Sequence, residues 1–139
     1  MGDTGSLLLG LTSSIFAINF IESNKFYVDE HTIRSVPAVA IGILIIPLFD
    51  TLRVFTIRII KGKSPFAPDR KHIHHMLLNL GLSHIQSTLV LGGVNIIFIY
   101  VSFRFQYLGT IELISIILSL AIVLSAILTF FHNKRQSSP

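Results

Sequence analysis

The chain of 139 residues contains no cysteine. It therefore has no disulfide framework, no thiolate metal site and no cysteine nucleophile, and its redox compartment cannot be read from cysteine usage. Charge is also scarce: 13% of residues are charged, where soluble domains carry about 25%. With 51% hydrophobic residues and a mean hydropathy of +0.72, too few charges remain to cover a globule in water, and disordered and fibrous classes are excluded. Met1 to Leu9 lacks the basic residue with which a secretory signal peptide begins. No internal repeat or low-complexity segment is visible. The net charge of +4 falls between apolar runs, which is the pattern of a membrane protein and gives no reason to expect a nucleic-acid partner.

What is present is a set of four long apolar stretches, at residues 6–22, 36–60, 87–103 and 111–131. A helix needs about 20 residues to cross the hydrocarbon layer, within a range of roughly 17 to 25. The sequence thus predicts an all-α polytopic membrane protein with about four transmembrane helices in a single membrane domain over 1–139. A loop at 61–86 and a polar tail at 132–139 complete it. Lys61, Lys63, Arg70, Lys71, Lys134 and Arg135 fall on one side, and Lys25, Arg34 and Arg104 on the other. The positive-inside rule then predicts a cytoplasmic N-terminus, loop and tail.

The second stretch carries Pro47 and, after it, Asp50, Arg53, Arg58 and Lys61. At the helical period these four fall within an arc of about 140°. Proline removes a helical hydrogen bond and crowds the turn before it, so a kink or break is expected near Pro47, between Ile45 and Asp50. Two readings stand. In one, a straight helix snorkels its basic end to the head groups, with Asp50 paired to Arg53. In the other, the helix is broken and its amphipathic second half lies against the interface, the charged arc facing water or head groups.

Two polar motifs could carry chemistry. The first, Met1-Gly2-Asp3-Thr4-Gly5-Ser6, sets an aspartate on a flexible turn just before an apolar run, where Thr4 or Ser6 could cap the helix. Asp3 either complements the helix dipole or serves as a hard oxygen ligand for Mg²⁺. The second motif runs from Ser64 to His75 and sets Arg70 and Lys71 before His72, His74 and His75. A helix beginning near Asp69 would place His72 and His75 on one face, with Met76, Leu77 and Leu80 on an apolar side. Arg70 and Lys71 suit phosphate oxygens, and imidazoles add hydrogen bonds or proton transfer. The solvated loop is the rival. A zinc site would need a different ligand spacing. His31, His84 and His132 stand isolated and read as structural.

Together the motifs closely resemble one family, the polyprenyl-phosphate N-acetylhexosamine-1-phosphate transferases, membrane glycosyltransferases that start cell-surface polysaccharide and cell-wall synthesis. MGDTGSLLLG is similar to the family's MGDxGSxxLG, and SPFAPDRKHIHHMLLNLG to the P-D-R-x-H-I-H-H-x-L loop of the branch using UDP-N-acetylglucosamine. The resemblance covers residues 1–82. It implies transfer of N-acetylglucosamine 1-phosphate from a UDP-N-acetylhexosamine to undecaprenyl phosphate in membrane lipid, releasing UMP, with Mg²⁺ or Mn²⁺ as cofactor. Carried over by motif, Asp3 is the metal-binding and catalytic aspartate, His74 and His75 are catalytic, and Arg70, Lys71 and His72 bind substrate. The family's paired aspartates lie upstream of the glycine-aspartate motif. The resemblance therefore implies the C-terminal part of such an enzyme, inactive without the missing N-terminal half. The competing expectation is a non-enzymatic four-helix membrane subunit or small transporter, whose in-span charges would line a path.

Overall fold

The computed structural model describes residues 3–26, 32–62, 64 and 72–136, with only the backbone of Asp3 and Gln136. Among the described residues six α-helices follow one another: α1 Asp3–Asn24, α2 Val36–Ile43, α3 Ile45–Ile60, α4 Ile73–Asn79, α5 His84–Arg104 and α6 Thr110–Gln136. A 3₁₀ turn, Gln106–Leu108, joins the last two, and no strand occurs among the described residues. The chain is an all-α, multi-pass membrane protein. Helices α1, α5 and α6 are each long and apolar enough to span a bilayer, and α2 with α3 makes a fourth candidate span with a sharp bend.

The second expected span is broken. Helices α2 and α3 meet at 76° around Leu44, whose φ of −100° and ψ of 11° leave the helical region. The break falls one residue before the window expected from Pro47, because proline's effect is felt upstream. Its ring crowds the preceding turn, and its missing N–H leaves the carbonyl of Ile43 without the usual helical donor. The Asn95 side chain of α5 supplies one instead, its Nδ2 donating to Ile43 O at 3.2 Å. A bend made by one residue is thus secured by another helix.

Helix α2 is the heart of the packing. Its Ala38 and Val39, together with Ile45, Phe98, Leu113, Ile117 and Ala121, form the buried core between α2, α3, α5 and α6. Gly42 lets α2 approach α5 closely, since a β-carbon there would lie 1.8 Å from Ser102 Oγ. That hydroxyl instead donates to Phe98 O at 2.7 Å within its own helix. At one end of the bundle Ser35 Oγ donates to Gln106 O at 2.7 Å and Asn24 Nδ2 to Ile33 O at 2.9 Å. This end holds the α1–α2 and α5–α6 connections. The opposite end therefore receives the start of α5 and the finish of α6. It is also the end to which α3 turns.

Helix α1 contacts the rest mainly through α2. Leu7, Leu8, Leu11, Phe16 and Ile18 on it are exposed. Its first described residue is Asp3, so Thr4 and Ser6 lie inside the helix and not at its cap.

Candidate active site at the histidine loop

The backbone around the histidine motif is fixed at both ends of α4. The helix starts at Ile73, four residues later than the spacing from Asp69 suggests, with His72 extended at φ −64°, ψ 150° as the residue before it. His72 and His75 therefore do not share a helical face. The end is a Schellman turn: Gly81 N–H donates to Leu78 O at 2.9 Å and Leu82 N–H to Leu77 O at 3.3 Å. Gly81 takes φ +89°, the left-handed conformation that such a stop requires. Directly afterwards Ser83 and Gln86 form a reciprocal capping box that opens α5.

Asp50 of α3 is the anchor of the loop. Its Oδ1 accepts the Ile73 N–H at 3.0 Å, one of the donors that a helix start leaves unpaired. Its Oδ2 lies 3.0 Å from His72 Nδ1. Arg53 Nη1 stands 3.9 Å from Oδ1, so the expected pairing with Arg53 exists but is the longer contact. The two 3.0 Å contacts dominate, since hydrogen bonds weaken steeply with length and charge-assisted ones are the strong ones. The Arg53 guanidinium also reaches Met76 Sδ at 3.0 Å and Thr129 Oγ1 at 3.4 Å, tying α3 to α4 and α6. The side chains of Asp50 and Arg53 are only 16% and 12% exposed. This corrects the expected charged arc. Its Asp50 and Arg53 face inward toward α4 and α6, where a partly buried charge is tolerated because it is paired.

The helix α6 clamps the other end of α4. Arg135 donates through Nη1 to Leu80 O, and His132 Nε2 lies 3.4 Å from Asn79 Nδ2. His74 sits between two other imidazoles, with ring centroids 6.0 Å from His75 and 5.8 Å from His84. His84 and His132, which read as isolated in sequence, thus adjoin the motif. Asp50, His84, His132 and Arg135 were not legible as parts of the site. The one signal for Asp50 was an acid inside an apolar run. Behind α4, an apolar cavity of about 300 Å³ opens between α3, α4, α5 and α6, lined by residues including Phe49, Ile73, Leu77, Phe98 and Leu128.

Of the expected site residues, His72, His74 and His75 are gathered at the start of α4, while Arg70 and Lys71 lie outside the described residues, as do Gly2 and the side chain of Asp3. Asp3 begins α1, whose contacts are mainly with α2. Among the described residues no group of three or more His, Cys, Asp or Glu could hold a metal ion. Asp50 is already committed to His72 and Ile73.

Curated proteins are similar to part of this sequence. An undecaprenyl-phosphate alpha-N-acetylglucosaminyl 1-phosphate transferase of Yersinia pestis is 38% identical over 87 residues, covering 63% of this chain and 22% of that protein. A probable undecaprenyl-phosphate N-acetylglucosaminyl 1-phosphate transferase of Bacillus subtilis is 40% identical over 98 residues, covering 70% of this chain and 25% of that protein. A decaprenyl-phosphate N-acetylglucosaminephosphotransferase of Mycolicibacterium smegmatis is 35% identical over 95 residues, covering 66% and 23%. The chain spans about a quarter of the length of the curated relatives it matches. No family model matches, and no solved structure does. Over about two thirds of its length, the chain is a homologue of the polyprenyl-phosphate N-acetylglucosamine-1-phosphate transferases.

Proposed function

We propose that this chain supplies the histidine loop and part of the membrane scaffold of a transferase that moves N-acetylglucosamine 1-phosphate from UDP-N-acetylglucosamine to undecaprenyl phosphate, releasing UMP. The observation that carries the reading is the gathering of His72, His74 and His75 at the start of a short helix pinned to the membrane bundle by Asp50. The names of the relatives give the acceptor and the sugar. A helix held at both ends presents its imidazoles at little ordering cost, and pre-organised groups are what a reaction between two phosphates needs. The apolar cavity behind α4 supports the reading by giving hydrocarbon a place beside polar chemistry. In this proposal the loop faces the cytoplasm of a bacterial plasma membrane, where UDP-sugars are made.

The roles follow the motif. Arg70, Lys71 and His72 neutralise the donor diphosphate, and His74 and His75 hold or move protons at its oxygens. Mg²⁺, or Mn²⁺ in its place, would neutralise charge on the diphosphate when bound. The described residues do not build a cation site by themselves. Asp3 would therefore hold the ion with ligands from a further segment of the kind that fills the rest of the relatives' length. The chain alone would be inactive, because a single carboxylate binds Mg²⁺ weakly.

The test is kinetic, in the assembled enzyme. Asp3→Asn should lower turnover steeply with normal expression, and His74→Ala and His75→Ala should lower turnover or raise the donor requirement. Unchanged kinetics in all three variants would reduce both motifs to a helix start and a solvated loop. A non-enzymatic subunit or transporter has no comparable support, since the in-span charges Asp50 and Arg53 are engaged with α4.

A further inference from the structure

We propose that Asp50 is a positioning residue for His72: it holds the ring with its hydrogen on Nδ1 and so leaves Nε2 as the atom available to a ligand. The argument begins in the backbone. The 76° break at Leu44 turns α3 so that Asp50, within its second turn, lies beneath the start of α4. The carboxylate cannot rotate freely there, because Oδ1 is engaged by the Ile73 N–H at 3.0 Å and flanked by Arg53 Nη1 at 3.9 Å. Oδ2 is the oxygen left for the imidazole, and it meets Nδ1 at 3.0 Å. An ionised carboxylate only accepts hydrogen bonds, so a contact of that length requires the hydrogen on Nδ1.

The consequence holds in both protonation states. A neutral His72 has a bare Nε2, able to accept a proton. A protonated one has an Nε2–H, able to donate to a phosphate oxygen. The His72 side chain is 42% exposed, so the ring is reachable although its other nitrogen is tied down. Without Asp50 the ring could turn over or change tautomer, and the same residue would present different chemistry. What Nε2 does with a substrate rests on the transferase reading. The tautomer itself does not.

The experiment therefore uses no substrate. The 139-residue chain, labelled with ¹⁵N-histidine and held in lipid nanodiscs, is examined by long-range ¹H–¹⁵N correlation at a pH alkaline enough to keep imidazoles neutral. A His72→Gln spectrum identifies the His72 signals as those that vanish. The expected result is a protonated Nδ1 and an unprotonated Nε2 for His72. In Asp50→Asn the amide can offer the ring its own N–H, and the Nδ1–H pattern should be lost, with the signals of the other histidines in place. A merely structural Asp50 would move no hydrogen between ring nitrogens. Finding the hydrogen on Nε2 in the unmodified chain would overturn the proposal without any variant having to fold, as would an Nδ1–H pattern that persists in Asp50→Asn. A failed transferase assay would leave this result standing, so the two readings fall separately.

Discussion

Gly81 ends α4 at φ +89°, and a β-carbon placed on it would lie 2.9 Å from the Arg135 guanidinium that holds the neighbouring Leu80 carbonyl. Gly81→Ala should therefore loosen α4 by about 1–2 kcal/mol from the left-handed backbone alone, with further cost from displacing Arg135. Hydrogen exchange of the α4 amides should quicken accordingly, and unchanged exchange would show that the turn does not depend on glycine. Gly42 is constrained by packing and not by dihedral angle, since the added carbon would meet Ser102 Oγ at 1.8 Å. Gly42→Val should cost about 1–3 kcal/mol or more by overpacking. Thermal unfolding in detergent reads this directly, and a variant as stable as the parent would mean that α2 and α5 are not so close. Single residues were also where sequence reading was uneven. The three motif histidines announced themselves by clustering. Asp50 did not, because its bond to His72 joins positions 22 residues apart and no periodicity links a helix interior to a loop.

The bent pair α2–α3 shows what a helix can and cannot disclose before folding. Pro47 signalled a break, and the break occurs, but its angle of 76° is not written in the helix itself, and neighbours pack around it. Asn95 is one of these, its amide capping the Ile43 carbonyl. Asn95→Leu should leave that carbonyl short of a donor inside an apolar bundle, at a cost of about 1–3 kcal/mol. Ile96→Leu, on the exposed face of the same helix, serves as the control and should change stability little. Equal stability of both variants would deny Asn95 any part in holding the bend. The direction of the charged arc differs from the expected one for a similar reason. Amphipathicity places Asp50, Arg53 and Lys61 on one side of α3, but only the packed structure decides that α4 and α6 cover part of that side.

The order of spans was legible in the whole chain because hydropathy and length alone determine what lipid can solvate. How the helices meet was not, as small residues such as Gly42 and Ala38 carry no hydropathic signature of their partners. The arrangement collects the histidine loop, the start of α5 and the end of α6 at one end of the bundle, and the α1–α2 connection at the other. Single cysteines introduced at Asn24, Ser64 and Ser137 should test its orientation, with an impermeant reagent outside intact cells reaching position 24 and neither of the others. Labelling at 64 would put the histidine loop on the wrong side for a cytoplasmic sugar nucleotide. The central claim is that this bundle holds the working loop of a sugar-phosphate transferase, and product formation tests it most directly. The measurement is transfer of radiolabelled N-acetylglucosamine 1-phosphate from UDP-N-acetylglucosamine to undecaprenyl phosphate in membranes containing this chain, alone and co-expressed with the N-terminal part of the Bacillus subtilis relative. The account predicts no lipid-linked product from the chain alone, product when both parts are present with Mg²⁺, and loss of that product in His74→Ala and His75→Ala. Product that forms equally well with both histidines removed would contradict it.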